Sequence, residues 1–412
     1  MLSFIRRSFT RYGFVSLVLG TFASASFLFS AQQPDAATTK KVVRKTGTKT
    51  TATTAKVAAK TPAKSTIAVS SHSVAARRAA SKSTWKSPTY ANSVEGDNID
   101  GEDLVVRRAA VDALGPLNGS VVVTDANTGR VLTIVNQKLA FQNGYQPCST
   151  VKVPVALAAL SENVVDRETP FHLTRRKTIA LTEALAHSNN QYFANLGEKL
   201  GFERVSYYAK MFGLGEKAGL DIPGEQPGVL PVTEPKSGVG MMTSFGDGIS
   251  LTPLEYAALI GAVANGGTLY YLQYPKTDQE AQTLTPRVKR RLDIDNLVSE
   301  IKPGMMGAVE YGTARRVDNE DPNTPIYGKT GTCTDYRATA HMGWFGSFVD
   351  AGKNKFVVVV MLTGGKSVNG PVASGVAGNV YKTLSTANFY SREPNKETSP
   401  VALISAAGTG SN

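Results

Sequence analysis

The sequence predicts a mixed α/β protein of the α+β kind, with one antiparallel sheet built from both ends of a domain and a large helical region between them. Three observations predict it. The stretch "GSVVVTDANTGRVLTIVN" holds two β-branched runs around Asp125-Ala126-Asn127-Thr128-Gly129, a hairpin signal. Near the far end, "AHMGWFGSFVDAGKNKFVVVVMLTGG" gives two more strands around a Gly352-Lys353-Asn354 turn. Between them the apolar spacing is helical in "STVKVPVALAALSE", "ALTEALAHSNNQYFANLGEKLG", "FERVSYYAKMFG" and "TPLEYAALIGAVANGG", several of which end in Gly. A closing helix is predicted in "GPVASGVAGNVYKTLSTANF".

The N-terminus precedes this domain with a different kind of sequence. Arg6, Arg7 and Arg11 lead into an uncharged, mostly apolar run from Gly13 to Ser30, and Ala23 and Ala25 fit a small-x-small cleavage site. Residues 1–31 are therefore expected to be a signal peptide or an inner-membrane anchor, with everything after them exported to the periplasm.

Residues 1 to 90 contain fifteen Lys or Arg and a single acid, Asp35, whereas the remaining 322 residues hold 30 basic and 32 acidic side chains. The pI of about 9.5 thus belongs to the tail, and the near-neutral globular part offers no basic face for nucleic acid. The segment 32–105 is rich in Lys, Ala and Thr, as in "KTGTKTTATTAKVAAKTPAKST", and is expected to be a disordered spacer because it cannot bury enough apolar surface to offset the entropy of ordering. Its cations suit anionic lipids or wall polymers.

Two cysteines, Cys148 and Cys333, lack a CxxC partner, and His72, His172, His187 and His341 have no metal-ligand spacing. Neither a metal nor another cofactor is expected.

Three short motifs carry chemistry. Ser149 and Lys152 lie three apart at the start of an apolar helix, so the amine reaches the hydroxyl, with the positive end of the helix beside it. Apolar neighbours Val151, Val153 and Pro154 desolvate the lysine, as a base requires. Ser188-Asn189-Asn190 supplies a second hydroxyl and an amide able to shuttle a proton and orient a lysine. Lys329-Thr330-Gly331-Thr332 precedes the last two strands, and so sits on a strand at or near the sheet edge, where a cation and two hydroxyls suit a carboxylate and glycine admits another backbone. The spacer repeats the letters in Lys45 to Thr48 and in Ser83-Thr84-Trp85-Lys86, without the helix, the sheet or the middle motif. The order S-x-x-K, S-x-N, K-T-G, each on its proper element, singles out the copies at 149, 188 and 329.

These residues, together with "GLGEKAGLDIPGEQPGVLP", "SFGDGISLTPLEYAALIGAVANGGTL", "YGTARR" and "GKTGT", resemble the penicillin-binding transpeptidases, class B-like members of the serine β-lactamase and D,D-peptidase superfamily. The likeness runs from about residue 118 to 388. It implies the β-lactamase/transpeptidase-like fold over 106–390, followed by a flexible tail at 391–412. It further implies peptidoglycan stem peptides as substrates through an acyl-serine, β-lactams as covalent inhibitors, and no cofactor.

Carried over by residue, the resemblance makes Ser149 the nucleophile, Lys152 its base and Ser188 the proton relay. Asn190 would hold the substrate amide, and Lys329, Thr330, Gly331 and Thr332 would form the carboxylate-binding strand, with the N–H groups of Ser149 and Thr332 as oxyanion hole. The family commonly has Gly where this chain has Cys148. Class A serine carbapenemases are similar in placing one Cys there and another just after K-T-G-x, which implies a Cys148–Cys333 disulfide.

The resemblance leaves transpeptidase and D,D-carboxypeptidase open. The first rival is a serine β-lactamase, which needs a water-activating base, but the chain carries "GLDIPGEQPGVLP" in place of a Glu-x-x-x-Asn loop. The second is a non-catalytic β-lactam or cell-wall sensor, which would need a cytoplasmic domain to receive its signal. No large N-terminal module is expected before residue 105.

Overall fold

The computed structural model describes residues 85 to 391, apart from 320 and 322. Its main departure from the sequence expectation is at the spacer's end, because residues 85 to 105 are packed onto the domain. Asp97 and Glu102 reach the Arg107 guanidinium at 2.7 and 3.4 Å, with all three side chains at least nine-tenths buried. Trp85 stands edge-on to His341, and the Lys86 N–H donates to the Thr339 carbonyl. Composition misses this because paired polar groups, rather than apolar content, hold the segment to a core built elsewhere. The folded domain therefore includes Trp85 rather than starting at 106. The expected leader, the spacer up to residue 84, the first KTGT and the tail from 392 lie outside the described residues. Among the described residues, no helix is long and apolar enough to cross a membrane.

Asp103 caps α1 (Leu104–Leu114), its carboxylate accepting the N–H groups of Val105 and Val106. The predicted first hairpin is β1 (Gly119–Asp125) and β2 (Val131–Val135), its turn held by Asp125, which accepts from the Asn127 N–H and the Thr128 hydroxyl. After α2 (Gln137–Ala140), a single 3-10 turn, Cys148–Val151, leads into α3 (Lys152–Ser161). A small hairpin, β3 (Phe171–Thr174) with β4 (Lys177–Ile179), precedes α4 (Leu181–Ala186) and α5 (Asn190–Met211). The latter kinks at Gly201, φ 76°, where the sequence pattern separates two helices.

Next come α6 (Val239–Phe245) and α7 (Pro253–Ala264), the second opened by a Thr252–Glu255 capping box. A second small hairpin pairs β5 (Thr268–Tyr270) with β6 (Val288–Arg291) around α8 (Asp278–Gln282). Then α9 (Asp295–Glu310) leads to β7 (Ile326–Asp335), β8 (Ala340–Ala351), β9 (Asn354–Gly364) and α10 (Gly370–Thr386).

The main sheet has the order β2-β1-β9-β8-β7, with every neighbouring pair antiparallel, so strands from both ends of the domain share it as predicted. Its two faces are buried differently. Val358, Val360 and Leu362 pack with Val106, Ala110, Ala377 and Val380 under α1 and α10, while Val357, Val359 and Met361 pack with Tyr256 and Leu259 under α7. This explains the unbroken "FVVVVML" run, since a strand covered on both faces needs no polar alternation. Each buried Val there contributes on the order of 1.5 kcal/mol or more. The arrangement leaves β7 as an edge strand, with its outer side beside the turn that carries Ser149.

Candidate active site

The turn at Cys148–Val151 is shaped by its first residue. Cys148 has φ 54°, a left-handed conformation that favours glycine, and its side chain is fully buried. A disulfide joins it to Cys333, with the Cα atoms 5.5 Å apart. The expected bridge is therefore present, and it holds the unfavourable conformation while binding the Ser149 turn to β7.

Ser149 is 8% exposed, and Lys152, at the first position of α3, is fully buried. Lys152 Nζ lies 3.0 Å from Ser149 Oγ, 3.1 Å from Ser188 Oγ, 2.8 Å from the Ser188 carbonyl and 2.5 Å from Asn190 Oδ1. The middle motif reaches it through helix capping. Ser188 sits in the turn after α4 with φ 54°, and Asn189 caps α5 by accepting the Tyr192 N–H at 2.9 Å. With Asn189 so engaged, Ser188 and Asn190 are left to meet the lysine.

From the other side, Lys329 on β7 is also fully buried, and Nζ donates to the Thr330 carbonyl at 3.0 Å. Gly331 lets β7 approach the Ser149 turn closely, for an added Cβ would lie 2.9 Å from the Pro147 carbonyl oxygen and 3.1 Å from Thr150 Cγ2. Thr332 is exposed, and its Oγ1 accepts the Gly370 N–H at 2.8 Å, which leaves its own proton to donate. Thr330 Oγ1 lies 2.6 Å from Thr313 Oγ1.

Both buried lysines of the site lie below the usual ammonium range. Burial, and then the neighbouring charge of Lys329, push the Lys152 ammonium down to about 6. Burial pushes Lys329 down to about 7. The Lys152 amine is therefore largely neutral at neutral pH and can accept the proton of the Ser149 hydroxyl, 3.0 Å away.

Sequence reasoning thus names the residues that meet at Lys152 but not those that brace them. Thr313 lies in "YGTARR", which the sequence marks as part of the family likeness without giving Thr313 a role of its own. The Trp344 indole donates to the Gln146 carbonyl at 3.0 Å, and buried Asp335 accepts the Gln146 N–H at 3.2 Å, which fixes the approach to Ser149. In "GLDIPGEQPGVLP", Glu225 is 1% exposed and spends its two oxygens on the N–H groups of Gly219 and Leu220, at 3.0 and 2.9 Å. It braces its own loop. Among the described residues, no group of three or more His, Cys, Asp or Glu side chains could hold a metal ion.

Comparison with known proteins agrees with this geometry. The model of the penicillin binding protein transpeptidase domain matches residues 119–384. Stage V sporulation protein D of Bacillus subtilis (strain 168) is 29% identical over 282 residues, covering 61% of this chain and 43% of that protein. Peptidoglycan D,D-transpeptidase FtsI of Escherichia coli (strain K12) is 25% identical over 317 residues, covering 65% of this chain and 52% of that protein. The chain spans about half the length of the curated relatives it matches.

Among solved structures, Pseudomonas aeruginosa PBP2 in complex with WCK 5153 superposes with TM-score 0.59 at 25% identity, covering 70% of this chain and 77% of that one. The D,D-transpeptidase domain of a peptidoglycan glycosyltransferase from Eggerthella lenta superposes with TM-score 0.56 at 21% identity, covering 69% and 82%. This second likeness shows the fold.

Proposed function

The chain belongs to the penicillin-binding protein transpeptidase family, and from that premise we propose that it is a serine D,D-transpeptidase acting on peptidoglycan stem peptides outside the cytoplasm. The observation that carries this reading is Lys152, fully buried, pushed down to about 6, with Nζ 3.0 Å from Ser149 Oγ.

In this mechanism, neutral Lys152 takes the Ser149 proton as Oγ attacks the carbonyl of the penultimate D-alanine. The N–H groups of Ser149 and Thr332 receive the oxyanion; the first N–H groups of a helical turn have no partner inside it. As the C–N bond breaks, the proton passes from Lys152 through Ser188 Oγ, 3.1 Å away, to the departing D-alanine amine. An acyl-serine remains, and an acceptor amine attacks it, with the same lysine taking the amine proton and returning it to Ser149 Oγ as the ester C–O bond breaks. Asn190 holds Lys152 in place through Oδ1 and turns its amide N–H toward the substrate. Lys329 meets the terminal carboxylate with the hydroxyls of Thr330 and Thr332, and Gly331 leaves room for the strand to approach. β-Lactams enter as mimics of that carboxylate and amide, and acylate Ser149.

A β-lactamase would add a carboxylate that activates water against the acyl-serine. The engagement of Glu225 with its own loop favours slow deacylation instead. Residues 1–31 then serve as a signal peptide or inner-membrane anchor, and the basic spacer links them to the catalytic domain.

Intact-mass spectrometry of the full-length protein mixed with a penicillin tests this, with Ser149→Ala alongside. The expected result is a single adduct that persists for hours on the wild type and is absent from the variant. An adduct that vanishes as the antibiotic is consumed would instead identify a β-lactamase, and an adduct on Ser149→Ala would remove Ser149 as the nucleophile.

A further inference from the structure

Tyr311, Gly312 and Thr313 follow α9 and thread between the two halves of the site. The Thr313 N–H donates at 3.2 Å to the carbonyl of Ala186, the last residue of α4 and two before Ser188. Gly312 is pressed against the same place, for an added Cβ would lie 2.2 Å from that carbonyl oxygen. The Tyr311 hydroxyl donates to Glu183 on α4 at 2.8 Å. Rooted in this way on the Ser188 turn, the Thr313 side chain reaches β7, with Oγ1 2.6 Å from Thr330 Oγ1.

We propose that Thr313 is a positioning residue that keeps the Thr330 hydroxyl set as a donor toward the anionic end of the substrate. The proposal rests on the transpeptidase reading and deepens it. A threonine hydroxyl has one proton and two lone pairs. With a carboxylate in front of Thr330, that proton goes to the carboxylate, and the Thr330 oxygen then accepts from Thr313. The chain from Thr313 to Thr330 to carboxylate polarises each bond in turn, more strongly in a dry site than in water. Thr330 is only 4% exposed, so solvent is poorly placed to replace Thr313 as its partner.

The same contact has a mechanical consequence. The disulfide at Cys333 ties β7 to the nucleophile turn, and Thr313 ties it to the Ser188 turn. Three elements that are remote in sequence are thereby held at one spacing.

The test is the acylation kinetics of full-length wild type, Thr313→Val and Thr313→Ser with a penicillin and with its methyl ester, resolved into binding and acylation steps. With the free acid, Thr313→Val should weaken the noncovalent complex roughly ten-fold or more, as expected for losing a hydrogen bond that serves a charged group. Its acylation rate at saturation should change little. With the ester, which lacks the anion, Thr313→Val should match wild type, and Thr313→Ser should match wild type with both compounds.

Equal losses on acid and ester, an impaired Thr313→Ser, or a Thr313→Val indistinguishable from wild type on the acid would each overturn the proposal. If Thr313→Val does not fold, Thr313→Ala on the same pair of compounds decides. A wild type that neither compound acylates overturns the transpeptidase reading and this proposal with it, whereas a normal wild type with unaffected variants overturns this proposal alone.

Discussion

Cys148 and Cys333, separated by 185 positions in the chain, are bonded to each other with Cα atoms 5.5 Å apart, so the residue before Ser149 is covalently joined to the residue after Thr332. The bond sets the Ser149 turn against the KTGT strand, and it does so through a residue held at φ 54°.

Breaking that bond should lower stability by about 2 to 5 kcal/mol, because so long a loop greatly constrains the unfolded chain. The left-handed φ makes a finer prediction. Cys148→Gly with Cys333→Ala should be more stable than Cys148→Ala with Cys333→Ala by about 1 kcal/mol, since only glycine adopts that conformation without steric cost. Urea-denaturation midpoints of the two double variants check it, and equal midpoints would show that φ at 148 relaxes once the bond is gone.

The two lysines predict a narrow bell in the pH dependence of acylation. Lys152 must be neutral to accept a proton, so acylation efficiency should rise with pH through about 6, where it loses its charge. Lys329 must be charged to meet a carboxylate, so efficiency should fall above about 7, where it loses its own. Second-order acylation rates by a penicillin from about pH 5 to 9 measure both limbs. A rate that keeps climbing to the alkaline end would show that the Lys329 charge is dispensable.

Gly331→Ala should separate the strand from the nucleophile. The new methyl would stand 2.9 Å from the Pro147 carbonyl oxygen and 3.2 Å from Trp344 Cβ, and neither neighbour is the end of a flexible side chain. Overpacking of this kind costs about 1 to 3 kcal/mol. Acylation should fall roughly ten-fold or more as β7 shifts outward, because small misplacements are costly to rate. Melting and acylation are read together; wild-type acylation in a folded variant would mean that the site tolerates the shift.

Residues 85 to 105 should prove part of the folded unit. A chain starting at Trp85 should melt like the full-length protein, whereas one starting at Val106 leaves Arg107 buried without Asp97 and Glu102. Stranding a buried charge costs about 3 to 5 kcal/mol. Equal melting temperatures for the two truncations would place the domain start at 106 after all.

Much of this was legible beforehand for local reasons. The β-branched runs of β1 and β9 and the glycine that kinks α5 at 201 are short-range signals, read from neighbouring residues. Other features were hidden for equally physical reasons. The helix α9, which carries Pro303 in its interior, is not among those read from the sequence. The polar stretch from Asp97 to Asp103 reads as spacer until its acids find Arg107 and a helix cap.

By itself, the sequence determined the two terminal pairs of strands, several of the helices between them, and the three short motifs that meet around Lys152 and β7. It also located the serine that shares a helical turn with its lysine, since Ser149 and Lys152 are three residues apart and that geometry is local. Tertiary structure alone decided what depends on distance. It left Lys152 uncharged near neutral pH, and so free to accept a proton, only by burying it and bringing Lys329 near. It turned Asn190 toward that amine by spending Asn189 on a cap. And it gave Thr313 a place at the site, because desolvation and hydrogen bonding between distant segments are created when the sheet and helices close, and no local pattern of residues encodes them.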